Sequence, residues 1–145
     1  MKGSSHLLTN LMVSTSTTIS LQLPLKESTL LVVGAVTTCS FPDQIEYIKL
    51  TGHRKWTHNI LLYAILIAVI NNFYSNIFSN YFVIGSLYGI LLHILGDMFS
   101  KQGVPFILND VKFKIPLYTT GKGSETFFLL LLLVASIICP FLINK

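Results

Sequence analysis

Residues 126–143 read TFFLLLLLVASIICPFLI, a run without Asp, Glu, Lys or Arg that holds consecutive leucines from Leu129 to Leu133. A helix rises about 1.5 Å per residue and needs roughly 20 apolar residues to cross a ~30 Å hydrocarbon core, so this run reads as a membrane span. Two further stretches match it. Asn59 to Gly96 carries no formally charged acid or base, and the Asn71-Asn72 pair with Asn76 and Asn80 divides it into Asn59 to about Tyr74 and Tyr81 to Phe99. Ser28–Phe41 is shorter, and Leu7–Leu23 is crowded with hydroxyls around Ser14 to Thr18. Hydroxyls in a bilayer seek partners on neighbouring helices, so these two segments are expected to face protein rather than lipid. Pro24, Pro42, Gly103, Pro105, Pro116 and Gly121 to Gly123 break the chain between segments. The expected fold is all-α, a polytopic membrane bundle of four to five helices, with residues 1–145 forming one transmembrane domain.

Composition agrees. The chain has 145 residues, 52% hydrophobic and 11% charged, against roughly 25% charged in soluble domains. A soluble fold of this size has no interior large enough to hide that much apolar surface. The net charge is +4, but no basic cluster interleaved with aromatics accompanies it, which argues against nucleic acid as a partner. Cys39 and Cys139 lie on different apolar segments without CxxC spacing, so neither a disulfide framework nor a cysteine zinc site is expected. A cleavable signal peptide is not expected either, since no small-x-small site follows an apolar core near Lys2.

If all five segments cross, Lys2, Lys49, Arg54, Lys55, Lys101, Lys112, Lys114 and Lys122 fall on one side and only Lys26 and Lys145 on the other. The positive-inside rule makes the first side cytoplasmic. The polar chemistry gathers there too. His6 begins the first segment, Asp43 ends the second, His53 and His58 precede the third, and His93 and Asp97 lie on the last turns of the fourth. His93 and Asp97 are spaced i, i+4 and share a helix face. Imidazole and carboxylate on one face suit a borderline-soft divalent metal; the alternative is a neutral histidine bonded to a helix hydroxyl. His53-Arg-Lys-Trp-Thr-His58 sits at a loop-to-helix junction. Headgroup anchoring accounts for Arg54, Lys55 and Trp56 but not for two histidines. Asp43, after Pro42 at a helix end, opposes the negative end of the dipole and calls for a cation. Glu125, just ahead of the last helix, is favoured by the dipole.

Gly3-Ser-Ser-His6-Leu-Leu, Phe41-Pro-Asp43, Gly52-His53-Arg54-Lys-Trp-Thr57-His58 and Leu92-His93-Ile-Leu-Gly-Asp97 occur in the order that resembles the YdjM-like family, small bacterial inner-membrane proteins classed as metal-dependent hydrolases. Val111-Lys-Phe-Lys-Ile-Pro116 and Gly121-Lys-Gly-Ser-Glu125 are similar to its continuation, so the resemblance runs from about residue 3 to 128. It implies that His6, Asp43, His53, His58, His93 and Asp97 form a metal set, with zinc first and manganese or iron as alternatives. It also implies a multi-pass protein of the bacterial cytoplasmic membrane. One departure stands out: the family's Pro-Asp-x-Asp-His appears here as Pro42-Asp43-Gln44-Ile45-Glu46, with Glu46 in place of the histidine.

The reading that follows is a hydrolase of an ester or phosphoester, on a membrane lipid or lipid-linked substrate, with its site facing the cytoplasm. An open His/Asp site lowers the pKa of bound water toward ~7 and polarises a carbonyl or phosphoryl oxygen. Glu46, Arg54 and Glu125 are the candidate catalytic residues. Asp43 or Glu46 would act as base, and Arg54 would hold a developing anion or headgroup phosphate. Two other classes compete: a metal or proton transporter built on the same cluster, and a scaffold protein with structural zinc. A transporter needs polar groups at several depths, whereas the ionisable residues here gather on one side. Sequence alone sets no oligomeric state.

Overall fold

A computed structural model describes residues 1–47, 61, 63, 65, 68–69, 80–105 and 112–144, with the side chains of 46 and 47 excepted. Helix α1 spans Gly3–Ser20, α2 Leu25–Thr38, α3 Phe41–Tyr47, α4 Tyr81–Met98 and α5 Gly123–Ile143; β1, Val104–Pro105, and β2, Lys112–Phe113, lie between α4 and α5. Leu61, Tyr63, Ile65, Ala68 and Val69 also have helical backbone. Most of the expected segment Asn59 to Tyr74 lies outside the described residues.

Helix α1 ends where Gln22 turns to a positive φ of 51°. Leu23 N–H then bonds Thr18 O at 3.1 Å and Gln22 N–H bonds Ile19 O at 3.1 Å, a pair of contacts that satisfies the orphan carbonyls of a helix end. Pro24 follows and opens α2. At α4 the cap is Asn80, whose side chain accepts from Phe82 N–H at 3.0 Å, as short polar side chains do at helix starts.

The buried face of α1 is polar. Ser5, His6, Thr9, Asn10, Ser14, Ser16 and Thr18 point inward, while Leu7, Leu8, Leu11 and Ile19 are exposed. Helix α5 is apolar and outward-facing, with only 6% of its apolar window buried. Such surfaces are costly in water and natural in lipid, where hydroxyls hold helices together. Thr17 Oγ1 accordingly meets Tyr88 Oη at 3.0 Å. Two helices among the described residues, α4 and α5, are long and apolar enough to cross a membrane.

Helices α2 and α4 form the tightest pair. A Cβ at Gly85 would strike the backbone of Leu31, and one at Gly89 the backbone of Ala35. Small residues four apart allow this approach, and Thr38 Oγ1 donates across it to Ser86 O at 2.8 Å. The stripe Gly85, Gly89, His93, Asp97 continues at the same spacing, so the glycines that admit α2 also bring its end onto the histidine. Gly89→Val is therefore expected to destabilise the protein by about 3 kcal/mol or more, the upper end of overpacking penalties, as a lower melting temperature in detergent. Gly3→Ala, where a Cβ meets nothing within 4 Å, should leave melting unchanged.

Beyond α4 the chain folds back on the helix end. Ile115 N–H bonds Met98 O at 2.9 Å and Leu117 N–H bonds Phe99 O at 3.0 Å. Tyr118 Oη donates to Gly96 O at 2.5 Å. The strands pair antiparallel with Val104 opposite Phe113 and Pro105 opposite Lys112. Tyr63, Ile90, Ile94, Met98 and Val104 pack as an apolar cluster beneath them.

Candidate metal centre

His6 stands in the first turn of α1, where its N–H bonds Lys2 O at 3.1 Å. His93 and Asp97 come from the last turns of α4. Asp43 comes from the first turn of α3, which corrects the expectation that it closes the preceding helix. Helix α2 stops at Thr38 and a new turn begins at Phe41, closed by Gln44 N–H on Ser40 O at 3.0 Å. Pro42 reads as a terminator, yet proline is tolerated in a first helical turn because its missing N–H has no intrahelical acceptor there. Asp43 therefore lies with the helix dipole rather than against it, and the dipole supplies no argument for a cation.

The side chains themselves supply one. His6, Asp43 and His93 each offer a ligand atom within 4.8 Å of the others. The two imidazoles stack with centroids 3.7 Å apart and planes 14° from parallel. His93 Nδ1 lies 2.6 Å from Cys39 O, and since a carbonyl only accepts, Nδ1 donates there and Nε2 is the nitrogen turned toward the carboxylates. Nε2 lies 3.5 Å from Asp43 Oδ1 and 4.0 Å from Asp97 Oδ2. Asp97 is buried, and its Oδ1 meets both the Met1 amino group and His6 Nε2, the latter at 3.3 Å. His6 is 1% exposed, and among the described residues its Nδ1 has no hydrogen-bond partner. A buried polar atom without a partner is costly.

These features fit a divalent metal. Donors about 2.0–2.2 Å from a tetrahedral ion stand about 3.3–3.6 Å from each other, so binding would draw the ligand atoms together by up to about 1 Å and turn the stacked imidazoles toward the ion. The Cys39 carbonyl behind His93 and the Asp97 carboxylate behind His6 are the outer partners that orient ligating histidines. Asp43, its side chain 41% exposed, is the member of the cluster that reaches the surface.

The remaining expected residues fall elsewhere. Glu125 sits at the start of α5, where Oε1 accepts from Lys2 N–H at 2.9 Å and Oε2 from Gly121 N–H. It braces the starts of α1 and α5 against each other and is not one of the clustered ligand group His6, Asp43 and His93. Glu46 belongs to α3, three residues after Asp43. His53, Arg54 and His58 lie outside the described residues.

The family model described as YdjM inner membrane protein matches residues 1–144. The chain belongs to the YdjM inner membrane protein family. The inner membrane protein YdjM of Escherichia coli (strain K12) is 29% identical over 133 residues, covering 76% of this chain and 66% of that protein. The Shigella flexneri protein of the same name matches equally. The chain thus spans just under two thirds of the length of these YdjM relatives. No solved structure matches it.

Two contributors to the centre escaped sequence reading. The Cys39 carbonyl is backbone and leaves no mark in the sequence. The glycine stripe does leave one, because Gly85 and Gly89 extend the His93, Asp97 spacing backwards by two turns.

Proposed function

We propose that the protein is a metal-dependent hydrolase of the inner membrane, multi-pass and with its site at the cytoplasmic face, acting on an ester or phosphoester of a lipid or lipid-linked substrate. The observation that carries this reading is the meeting of His6, Asp43 and His93 from three helices, with His93 Nδ1 committed to Cys39 O and the Asp43 side chain partly exposed. His6, Asp43 and His93 would hold the metal, with Asp97 orienting His6; zinc, manganese or iron would polarise the substrate oxygen and activate water there. Glu46 would take the proton from the attacking water, and Arg54 would hold the developing anion.

The placement of the cationic residues supports the orientation. Lys2 precedes α1, Lys101 follows α4 and Lys122 precedes α5, all at the end of the helices that carries the cluster. An enzyme is favoured over a conduit because the acidic and imidazole groups of the cluster converge at that one end.

The test is hydrolysis by purified protein in detergent of a panel of phospholipids and polyprenyl phosphates, with metal-stripped protein as the blank. Turnover that disappears on stripping and returns with one added metal is expected. Metal bound at full stoichiometry with no turnover on any ester would transfer the centre to a structural role.

A further inference from the structure

We propose that the segment from Lys112 to Leu117 is an interfacial strap that docks on the anionic lipid surface of the protein's own membrane. Its backbone is held rigidly: β2 pairs with β1, and the amides of Ile115 and Leu117 bond the last carbonyls at the end of α4 at 2.9 and 3.0 Å. Side chains alternate across an extended chain, which puts Lys112 and Lys114 on one side and Phe113 and Ile115 on the other, up to a tight turn at Pro116 where Leu117 N–H bonds Ile115 O at 2.7 Å. Phe113, Ile115 and Leu117 are exposed, at 48%, 40% and 58%. A fixed strand that presents a cationic side and an apolar side suits the boundary between headgroups and acyl chains. There lysines meet anionic phosphates while the apolar side chains enter the acyl boundary.

Charge complementarity selects the occupant. A second copy of this chain would set Lys112 and Lys114 against the same two lysines, whereas an anionic bilayer neutralises them. Continuity points the same way, since the strap is bonded to the end of α4, one of the two helices apolar enough to cross the membrane. Tyr118, directly after the strap, donates its Oη to Gly96 O at the helix end that carries His93 and Asp97, so lipid contact holds that end at headgroup level. This inference is independent of any hydrolytic activity.

The test places a reporter in the strap of the full chain. Trp56 is the only tryptophan, so Phe113→Trp in a Trp56→Phe background gives a single emitter, with Leu117→Trp as a second reporter should the first fail to fold. Phosphatidylglycerol titrated into detergent-solubilised protein should shift emission to the blue, and brominated acyl chains should quench it. Because each lysine near an anionic surface is worth about fivefold in affinity, Lys112→Ala with Lys114→Ala should weaken the response roughly 25-fold. An emission that stays red and unquenched overturns the proposal. So does an equal response to phosphatidylcholine, or disulfide-linked dimers formed by Leu117→Cys in place of lipid contact.

Discussion

His93→Ala is expected to empty the metal centre, and His6→Ala to do the same, each lowering bound metal by more than the roughly 10–100-fold that loss of an outer partner of a ligand costs. The two histidines occupy different helices yet stack at 3.7 Å, so an ion held by both would join the start of α1 to the end of α4. Removing either imidazole leaves too few donors for tight binding. Asp97→Asn serves as the graded case. It keeps the shape beside His6 Nε2 but removes the carboxylate charge, and the expected loss is the smaller one of an orienting partner. Metal content of purified protein, measured by mass spectrometry with a Lys101→Ala control, reads all of these. Full metal content in both His6→Ala and His93→Ala would dissolve the shared centre.

The apolar spans were legible because their signal is local. Helix α4 was read as Tyr81–Phe99 and is Tyr81–Met98; the last helix was read from Thr126 and starts at Gly123. Helix α1 was read as Leu7–Leu23, four residues late at its start and three late at its end. Its outward residues are leucines and its inward ones are Ser, Thr, Asn and His, so a search for apolar density slides away from Gly3 and the His6 turn. The β1–β2 pair was not read at all, since strands of two residues, one of them Pro105, are too short to show alternation. In the site, the i, i+4 spacing of His93 and Asp97 was visible because one helix sets it. The approach of His6 depends on α1 packing beside α4, and the proton on His93 Nδ1 depends on where α2 ends. Neither is written in local sequence. Asp43 was misread because a proline says "no earlier N–H acceptor", which a helix start satisfies as well as a helix end does.

Short helix α3 separates ligand from base, and the pair Asp43→Asn and Glu46→Gln is expected to divide the two roles. Asp43 Oδ1 lies 3.5 Å from His93 Nε2, inside the ligand cluster, so Asp43→Asn should lower metal content and turnover together. Glu46 follows by three residues on the same helix. If it takes the proton from water, Glu46→Gln keeps its size, removes its basicity and lowers hydrolysis by roughly 10²–10⁴-fold while metal content stays near normal. The pH profile separates this from a folding defect, because loss of a general base removes the limb that depends on its deprotonation and simple unfolding lowers all pH values alike. The position also tests the family departure, since a histidine commonly stands where Glu46 does in the resembling sequences. Glu46→His should then retain a base whose unperturbed pKa is about 6.5 rather than about 4.3, moving the acidic limb of the profile upward by about 2 units. Unchanged turnover in Glu46→Gln would take Glu46 out of the mechanism and leave Asp43 as the base, with His6, His93 and Asp97 as the ligands.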